Sequence, residues 1–248
     1  MTTPDWLPGL TAKLQRQAAD LVAEHDLPGA VVGLVNGANP EDALAWSSGF
    51  GWGGGPSQAD PTSPGSRALD ADTLFRVASI TKTFTATAIV QLRDQGKLHL
   101  DDPLAKHVPE FGAVENPFGP IEEITLRRVA SHSSGLMGEP PLDHWASLRF
   151  PSREEWLAVL PQVKISIPPG SAFKYSNLGY TLLGEVIERV SGRPYVEYMR
   201  AAIFEPLGMT SSGYELTDEL RSRAVVQSWP AAAIPFNGEG RAGSAASS

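Results

Sequence analysis

The segment from residue 178 to residue 190 places the strongest constraint on how this chain can fold. Its apolar residues recur at the i, i+3, i+4 spacing of a helix that is buried along one side. They are Leu182, Leu183, Val186, Ile187 and Val190. Gly192 follows where a helix commonly ends, because glycine adopts the left-handed conformation without strain. The segment therefore predicts a helix with a continuous buried stripe.

The N-terminal part of the chain predicts a helix and two strands. The helix covers residues 7–25, with its apolar stripe at Leu10, Leu14, Ala18, Leu21 and Val22. A β-branched run predicts a strand over 30–35, a turn begins at Asn36-Gly37, and residues 43–50 can return as a second strand. Residues 51–67 are rich in glycine, proline and serine and are typical of a loop.

The remainder of the chain predicts mostly helix. Helices are expected over 78–96, 125–131, 153–160, 178–190 and 194–204. Ser152 is a suitable cap for the third of these, and Pro194 suits the first position of the last. Residues 97–100 resemble a short strand, and the segment 238–248, rich in Gly, Ala and Ser, resembles a loop or an unfinished element.

The motif Ser79-Ile80-Thr81-Lys82 places a serine and a lysine three positions apart where a helix begins. One helical turn takes 3.6 residues, so both side chains project from the same face and the lysine amine can reach the serine hydroxyl. A neighbouring base is what converts a serine hydroxyl into an effective nucleophile. Taken alone, the tetrapeptide also fits a helix cap at Ser79 with a solvated Lys82.

A second cluster, Tyr175-Ser176-Asn177, lies in an irregular stretch just before the helix over 178–190. A tyrosine hydroxyl can act as a general acid or base, and the amide of Asn177 has both a donor and an acceptor with which to orient Lys82 and a substrate. The alternative is a partly buried Tyr175 and an Asn177 that caps the following helix.

The histidines do not indicate a metal site. His132 and Ser133 are adjacent, but no orienting third group is evident, so a structural turn with the histidine bound to backbone is favoured over a catalytic Ser–His pair. The remaining histidines, His25, His99, His107 and His144, lack the spacing of metal ligands. Asp101-Asp102-Pro103 is interpreted as the opening of a turn or a helix cap.

Composition excludes several classes of function. A formal charge of −8 over 248 residues disfavours nucleic acid and anionic membrane as partners. The absence of cysteine excludes disulfides and thiolate metal sites. No signal peptide and no membrane-spanning run are visible, so a cytoplasmic location is expected, or secretion if a leader is missing.

Taken in order, the motifs resemble the serine β-lactamase-like superfamily, in particular its class C β-lactamase, D-Ala-D-Ala carboxypeptidase and family VIII esterase branch. Besides Ser79-Ile80-Thr81-Lys82 and Tyr175-Ser176-Asn177, the matching segments include Leu27-Pro28-Gly29-Ala30, Leu98-His99-Leu100-Asp101-Asp102-Pro103-Leu104, His132-Ser133-Ser134-Gly135-Leu136 and Pro206-Leu207-Gly208-Met209. A serine three before a lysine is the nucleophile motif of β-lactamases and penicillin-binding proteins.

The resemblance implies both a fold and a set of roles. The fold is α/β (α+β), with a helical domain inserted in an antiparallel sheet domain. Ser79 would be the nucleophile and its backbone N–H would donate to the oxyanion. Lys82 would accept the proton, Tyr175 would act as general base and acid, and Asn177 would bind substrate. The substrate would be a small ester, peptide or β-lactam, and no cofactor or metal is expected. The alternative is a non-catalytic relative that binds or senses such ligands.

One family motif is not visible. No Lys-Thr-Gly or His-x-Gly follows Tyr175, so the chain is interpreted as partial, lacking the C-terminal strands and having low activity alone. The expected divisions are 1–78 for the first part of the α/β domain, 79–237 for the helical domain and 238–248 for an incomplete return. A sheet left with an open edge invites self-association.

Overall fold

The computed structural model describes residues 6–25, 27–35, 44–53, 62, 66–147, 149–225, 228–229 and 232–233. The turn predicted at Asn36-Gly37, most of the loop predicted over 51–67 and the segment 238–248 lie outside these residues. The chain divides into two compact units, Met1–Phe75 with Leu216–Pro235, and Arg76–Glu215 with Phe236–Ser248. The divisions expected above, 1–78, 79–237 and 238–248, stay predictions.

The first unit contains a long helix and an antiparallel sheet. Its elements are α1 (Leu7–Glu24), β1 (Gly29–Val35), β2 (Leu44–Gly53), β3 (Arg67–Ala68), α9 (Asp218–Arg223), β4 (Ser228–Trp229) and β5 (Ala232–Ala233). The sheet order is β1-β2-β3, and the two short strands β4 and β5 pair with each other. The predicted helix and the first two strands are thus confirmed, with β2 extending to Gly53.

The pairing of β1 with β2 is antiparallel and regular over most of its length. The register runs from Gly29 opposite Gly51 to Leu34 opposite Trp46, and it shifts between Leu34 and Val35. Within the described part of the chain β1 pairs on one side only, and self-association through its other edge stays a prediction.

Helix α1 packs on β1 and β2 with a stripe that differs in part from the predicted one. Leu14, Ala18 and Val22 are half-buried as expected, whereas Leu10 and Leu21 are exposed. The half-buried positions of α1 are Leu7, Thr11, Leu14, Ala18 and Val22, and at about 100° per residue Leu10 and Leu21 fall to one side of their mean direction.

The second unit is mainly helical. Its helices are α2 (Thr81–Asp94), α3 (Leu104–His107), α4 (Leu126–Ala130), α5 (His144–Ser147), α6 (Arg153–Ala158), α7 (Asn177–Ser191) and α8 (Tyr195–Met199). Short 3₁₀ turns cover Ala78–Ile80, Pro109–Ala113, Ile121–Glu123 and Leu160–Gln162, and one turn of π-helix covers Arg200–Phe204. The helices predicted over 78–96, 125–131, 153–160, 178–190 and 194–204 are therefore confirmed with small changes at their ends.

Helix α7 is the centre of this unit and contacts α2, α3, α4 and α8. Its predicted stripe is fully buried at four positions, Leu182, Leu183, Val186 and Ile187. Gly179 permits the close approach of α4, because a Cβ there would lie 3.1 Å from Val129 Cγ1. The helix ends at Gly192, which is left-handed with φ of 69°.

Several local expectations need correction. Residues 97–100 form a turn rather than a strand, because Asp102 accepts a hydrogen bond from the His99 N–H and closes the loop on itself. Pro194 is the N-cap of α8 rather than its first helical residue, since its ψ of 142° is extended. Ser152 caps α6 as predicted, in a reciprocal capping box with Glu155.

Candidate active site

Ser79 lies in the 3₁₀ turn that leads into α2, and Lys82 lies in the first turn of that helix. Lys82 Nζ donates a hydrogen bond to Ser79 Oγ at 3.1 Å. Ser79 makes no side-chain cap of α2, and Lys82 is only 5% exposed. The alternative of a capping serine with a solvated lysine is therefore wrong, and the predicted proximity of the two side chains is confirmed.

The backbone immediately before Ser79 is strained. Ala78 has a φ of 45°, in the left-handed region that residues with a side chain rarely adopt. Such strain costs of the order of 1–3 kcal/mol and tends to occur at functional sites, where surrounding packing maintains it. The strained residue directly precedes the exposed Ser79.

Tyr175 and Asn177 approach this pair from the N-terminal end of α7. Tyr175 Oη donates to Ser79 Oγ at 2.8 Å, and its ring centroid lies 4.9 Å from Lys82 Nζ. Asn177 Oδ1 accepts from Lys82 Nζ at 2.7 Å. Ser79, Tyr175 and Asn177 therefore all lie next to the amine of Lys82, so the four residues predicted for the site are together.

The residue that caps α7 is Ser176, not Asn177. Ser176 Oγ accepts from the Gly179 N–H at 2.9 Å and donates to the Met137 carbonyl at 2.7 Å. Asn177 is the first helical residue, and its backbone N–H donates to the Gly138 carbonyl at 2.8 Å. The amide side chain of Asn177 is thereby left to face Lys82.

His132 has a structural place beside the site, as the sequence predicted. Its Nδ1 accepts a hydrogen bond from the Ser176 N–H at 3.2 Å, and its carbonyl accepts from the Lys174 N–H at 2.7 Å. Its ring stacks on Tyr175 at 4.5 Å between centroids. Burial, reinforced by the nearby charge of Lys82, lowers the pKa of His132 and favours the neutral acceptor form. Ser133 Oγ instead bonds to Ser131 Oγ at 2.9 Å.

A second aromatic ring limits the position of Lys82. The Tyr180 ring centroid lies 5.6 Å from Lys82 Nζ, and Tyr180 Oη donates to the Ala130 carbonyl at 2.8 Å. Burial, followed by the proximity of Tyr175, raises the pKa of Tyr180, so this hydroxyl remains protonated. The contacts of Lys82 thus include Ser79, Asn177 and the faces of two aromatic rings.

Sequence reasoning missed Glu139. Asn177 Nδ2 donates to the Glu139 carboxylate, which makes Glu139 the next member of the network behind Lys82. Glu139 belongs to the segment 138–150, which shows no periodicity that would mark it. The only signal was its place directly after Gly138, in a loop that precedes two prolines.

Part of that segment lines a pocket next to the site. The pocket is lined by Glu139, Pro140, His144, Trp145, Phe150, Pro151, Trp156, Asn177, Leu178 and Thr181. Its walls are mainly apolar and aromatic, with Glu139 and Asn177 among the few polar groups, as is common for small-molecule sites.

The other acidic residues considered from the sequence are engaged elsewhere. Asp101 pairs with Arg127. Burial by itself would raise the pKa of Asp102, but hydrogen bonds from Lys106, the His99 N–H and His107 outweigh it and lower the pKa to about 2. Across the described ranges no group of three or more His, Cys, Asp or Glu side chains is arranged to hold a metal ion. Nor does any helix in those ranges have the length and apolar character that crossing a membrane requires.

Comparison with known proteins gives a consistent result. A family model described as Beta-lactamase matches residues 14–246. The chain is 34% identical over 180 residues to Beta-lactamase-like protein 2 of Dictyostelium discoideum, covering 71% of this chain and 32% of that protein. It is 36% identical over 157 residues to the D-alanyl-D-alanine-carboxypeptidase/endopeptidase AmpH of Escherichia coli K12, covering 62% of this chain and 40% of that protein. The chain thus spans less than half the length of either relative.

A solved structure with a similar fold is the β-lactamase/D-alanine carboxypeptidase from Yersinia pestis. The match has a TM-score of 0.74 and 25% identity, and it covers 98% of this chain and 65% of that one.

Proposed function

The chain belongs to the β-lactamase family, and from that premise we propose that it is a serine hydrolase that works through an acyl-enzyme formed on Ser79. The family supports a serine hydrolase-type function in general. The finer proposal rests on one observation, namely that the Lys82 amine and the Tyr175 hydroxyl both lie within hydrogen-bonding distance of the Ser79 hydroxyl. Ser79 Oγ lies 3.1 Å from Lys82 Nζ and 2.8 Å from Tyr175 Oη, which is the reach that proton transfer from a nucleophile requires.

In the acylation step Ser79 Oγ attacks the carbonyl carbon of the substrate while Lys82 and Tyr175 share the proton that it releases. Lysine accepts a proton only as the neutral amine, so Lys82 acts as the base in that form. The tetrahedral intermediate then expels its alcohol or amine, which takes up the proton. The product of this half-reaction is an ester between the acyl group and Ser79.

In the deacylation step a water molecule replaces the leaving group. Tyr175 is 43% exposed, so its hydroxyl can contact both Ser79 and an incoming water. The proton of that water passes to Tyr175 and Lys82, the hydroxide attacks the acyl carbon, and Ser79 regains its proton as the acid departs. The same two groups therefore act as base and then as acid in each half-reaction.

The oxyanion requires donors that are already oriented, and the backbone N–H of Ser79 would supply one. Loss of a single such donor costs roughly 2.7–4 kcal/mol of barrier in a well-studied serine hydrolase. Asn177 orients Lys82 through Oδ1. Its Nδ2 carries two protons, of which one is directed to Glu139, so the other remains for a substrate oxygen.

The substrate would be a small ester, a peptide or a β-lactam. Two features support this range. The relatives are named a β-lactamase-like protein and a D-alanyl-D-alanine-carboxypeptidase/endopeptidase. The pocket beside Asn177 is mainly apolar and aromatic, which suits the body of a small organic substrate.

Turnover of two chromogenic substrates tests the proposal. The protein should hydrolyse p-nitrophenyl butyrate or nitrocefin, Ser79→Ala should abolish that turnover, and Ser133→Ala should retain it because Ser133 bonds to Ser131 outside the network. Reversible binding of a fluorescent penicillin that persists unchanged in Ser79→Ala, with no turnover by the wild type, would instead indicate a ligand-binding relative.

A further inference from the structure

The side-chain amide of Asn177 is hydrogen-bonded at both ends. Its Oδ1 accepts from Lys82 Nζ at 2.7 Å, and its Nδ2 donates to Glu139 Oε1. A carboxylate can only accept a hydrogen bond, and of the two ends of an amide only the nitrogen donates. Only one of the two amide orientations satisfies both partners, and it is the orientation that turns Oδ1 toward Lys82.

Glu139 also has a close neighbour on the side away from Asn177. Its second carboxylate oxygen lies 3.4 Å from His144 Nε2. His144 is buried, and its Nδ1 donates to the Leu142 carbonyl at 3.1 Å. The rings of Trp145 and Phe150 lie 5.4 and 5.8 Å from the His144 ring. The second oxygen of Glu139 therefore faces the buried His144 rather than Lys82 or Ser79.

We propose that Glu139 is a positioning residue, which holds Lys82 beside Ser79 by fixing the amide of Asn177. The proposal rests on the proposed function, in which Lys82 handles the proton of Ser79. Without an acceptor at position 139, the amide can turn and present Nδ2 to Lys82, so that one donor faces another. Lys82 Nζ then loses the contact that helps to keep it 3.1 Å from Ser79 Oγ.

Glu139 is linked to Lys82 through the amide of Asn177. In the described structure this amide is bonded to each of the two side chains. A hydrogen bond that is charged at one end polarises the amide and strengthens the bond at its other end. Glu139 thus acts on Lys82 through orientation and polarisation, with no contact to the reacting atoms.

The rate of covalent labelling by a fluorophosphonate probe tests the proposal in the 248-residue protein. Glu139→Leu should lower the maximal labelling rate by roughly 10- to 100-fold, the worth of one charge-assisted hydrogen bond. The half-saturating probe concentration should change little. Glu139→Gln keeps a carbonyl acceptor for Asn177 Nδ2 and should stay within about threefold of the wild type. Glu122→Leu, at an exposed carboxylate of the same unit, is the matched control and should label normally.

A double-mutant cycle of labelling rates distinguishes a positioning role of Glu139 from a merely structural one. Because Glu139 acts only through the amide, Glu139→Leu combined with Asn177→Ala should label no more slowly than Asn177→Ala alone. Losses that multiply in the double variant would overturn the proposal, even if Glu139→Leu also lowers the melting temperature. Labelling of Glu139→Leu at the wild-type rate would also overturn the proposal.

Ser79→Ala separates this proposal from the proposed function. If Ser79→Ala is still labelled at the wild-type rate, the proposed function fails and the positioning role fails with it. If Ser79→Ala is unlabelled while Glu139→Leu labels as fast as the wild type, only the positioning role is overturned.

Discussion

Tyr175 Oη donates a hydrogen bond to Ser79 Oγ at 2.8 Å across 96 positions of the chain. The contact exists because the turn before α2 and the turn before α7 face each other within the same unit, and α2 packs directly on α7. His132 fixes the second turn by stacking on Tyr175 and by accepting from the Ser176 N–H. The candidate nucleophile and its partners are therefore supported by α7, most of whose residues are buried.

Replacing Tyr175 by phenylalanine tests whether activity depends on the hydroxyl of this residue or only on the packing of its ring. Tyr175→Phe keeps the ring against His132 and Lys82 but deletes the donor to Ser79. We expect turnover of p-nitrophenyl butyrate to fall by about 10²–10⁴-fold, the usual worth of a general acid or base. The melting temperature should change little because the hydroxyl is exposed.

Tyr180→Phe is the matched control for that variant. Its hydroxyl is bonded to the Ala130 carbonyl rather than to Ser79. We expect a loss of stability of about 1 kcal/mol with a much smaller effect on turnover. Equal loss of turnover in the two variants would show that the hydroxyl of Tyr175 has no special role.

Lys82 should be essential for acylation and dispensable for folding. Lys82→Met keeps most of the buried aliphatic stem but removes the amine that contacts Ser79 and Asn177. The rate of fluorophosphonate labelling should fall by at least about 100-fold, whereas Lys97→Met, at an exposed lysine after α2, should label normally. Near-normal labelling of Lys82→Met would contradict the assigned proton transfer.

The cap of α7 should matter for both stability and activity. Ser176→Ala removes the acceptor for the Gly179 N–H and the donor to the Met137 carbonyl, and the loss of such a cap costs about 0.5–2 kcal/mol. Because Ser176 lies between Tyr175 and Asn177, we expect turnover to fall as well. Urea unfolding and p-nitrophenyl butyrate assays measure the two effects.

Ser152→Ala is the corresponding control, since Ser152 caps α6 in the same unit by the same kind of bond. It should lose a similar amount of unfolding free energy while its turnover stays near the wild-type value. If both serine variants lose the same fraction of activity, the effect of Ser176 is one of general stability only.

Asp102 should stabilise the folded protein at neutral pH, and this contribution should be lost in acid. Its pKa in the folded state is about 2, below the value of about 3.9 expected in the unfolded chain. The folded state therefore binds fewer protons in this interval, so the stabilisation is complete above about pH 4 and is lost as the pH falls toward 2. We expect it to amount to roughly 1–2 kcal/mol after allowance for solvent screening.

Urea unfolding of the wild type and of Asp102→Asn at pH 6 and near pH 2 measures this contribution. The two proteins should differ in unfolding free energy at pH 6 and converge near pH 2. Asp101→Asn should show a much weaker dependence because the Asp101 pair with Arg127 is exposed. A difference between wild type and Asp102→Asn that is the same at both pH values would be inconsistent with this role of Asp102.

The helices and the chemistry of the site could be predicted from the sequence because both depend on local spacing. The stripe of α7 and the interval from Ser79 to Lys82 each follow from the 3.6-residue turn. Tyr175 and Asn177 carried the right functional groups before a strong helix, but their meeting with Lys82 was indicated by the order of the family motifs. Roles within the site stay proposals.

The parts that could not be predicted depend on long-range packing. Glu139 lies in an aperiodic loop and gains its position only because the turn before α7 binds the Gly138 carbonyl. Leu10 and Leu21 have the right spacing for burial, yet they are exposed because they lie at one margin of the half-buried face of α1, which contains Leu7, Thr11, Leu14, Ala18 and Val22. Residues 97–100 alternate like a strand but lie in a turn closed by Asp102.

Mass-spectrometric mapping of the covalent adduct tests the central claim most directly. After incubation with a fluorophosphonate, the protein should gain one probe mass, and the modified peptide should carry it on Ser79. Tyr175→Phe and Lys82→Met should acquire the same adduct at the same residue, only far more slowly. An adduct on any other residue, such as Ser133, or labelling at an equal rate in all three proteins, would contradict the account.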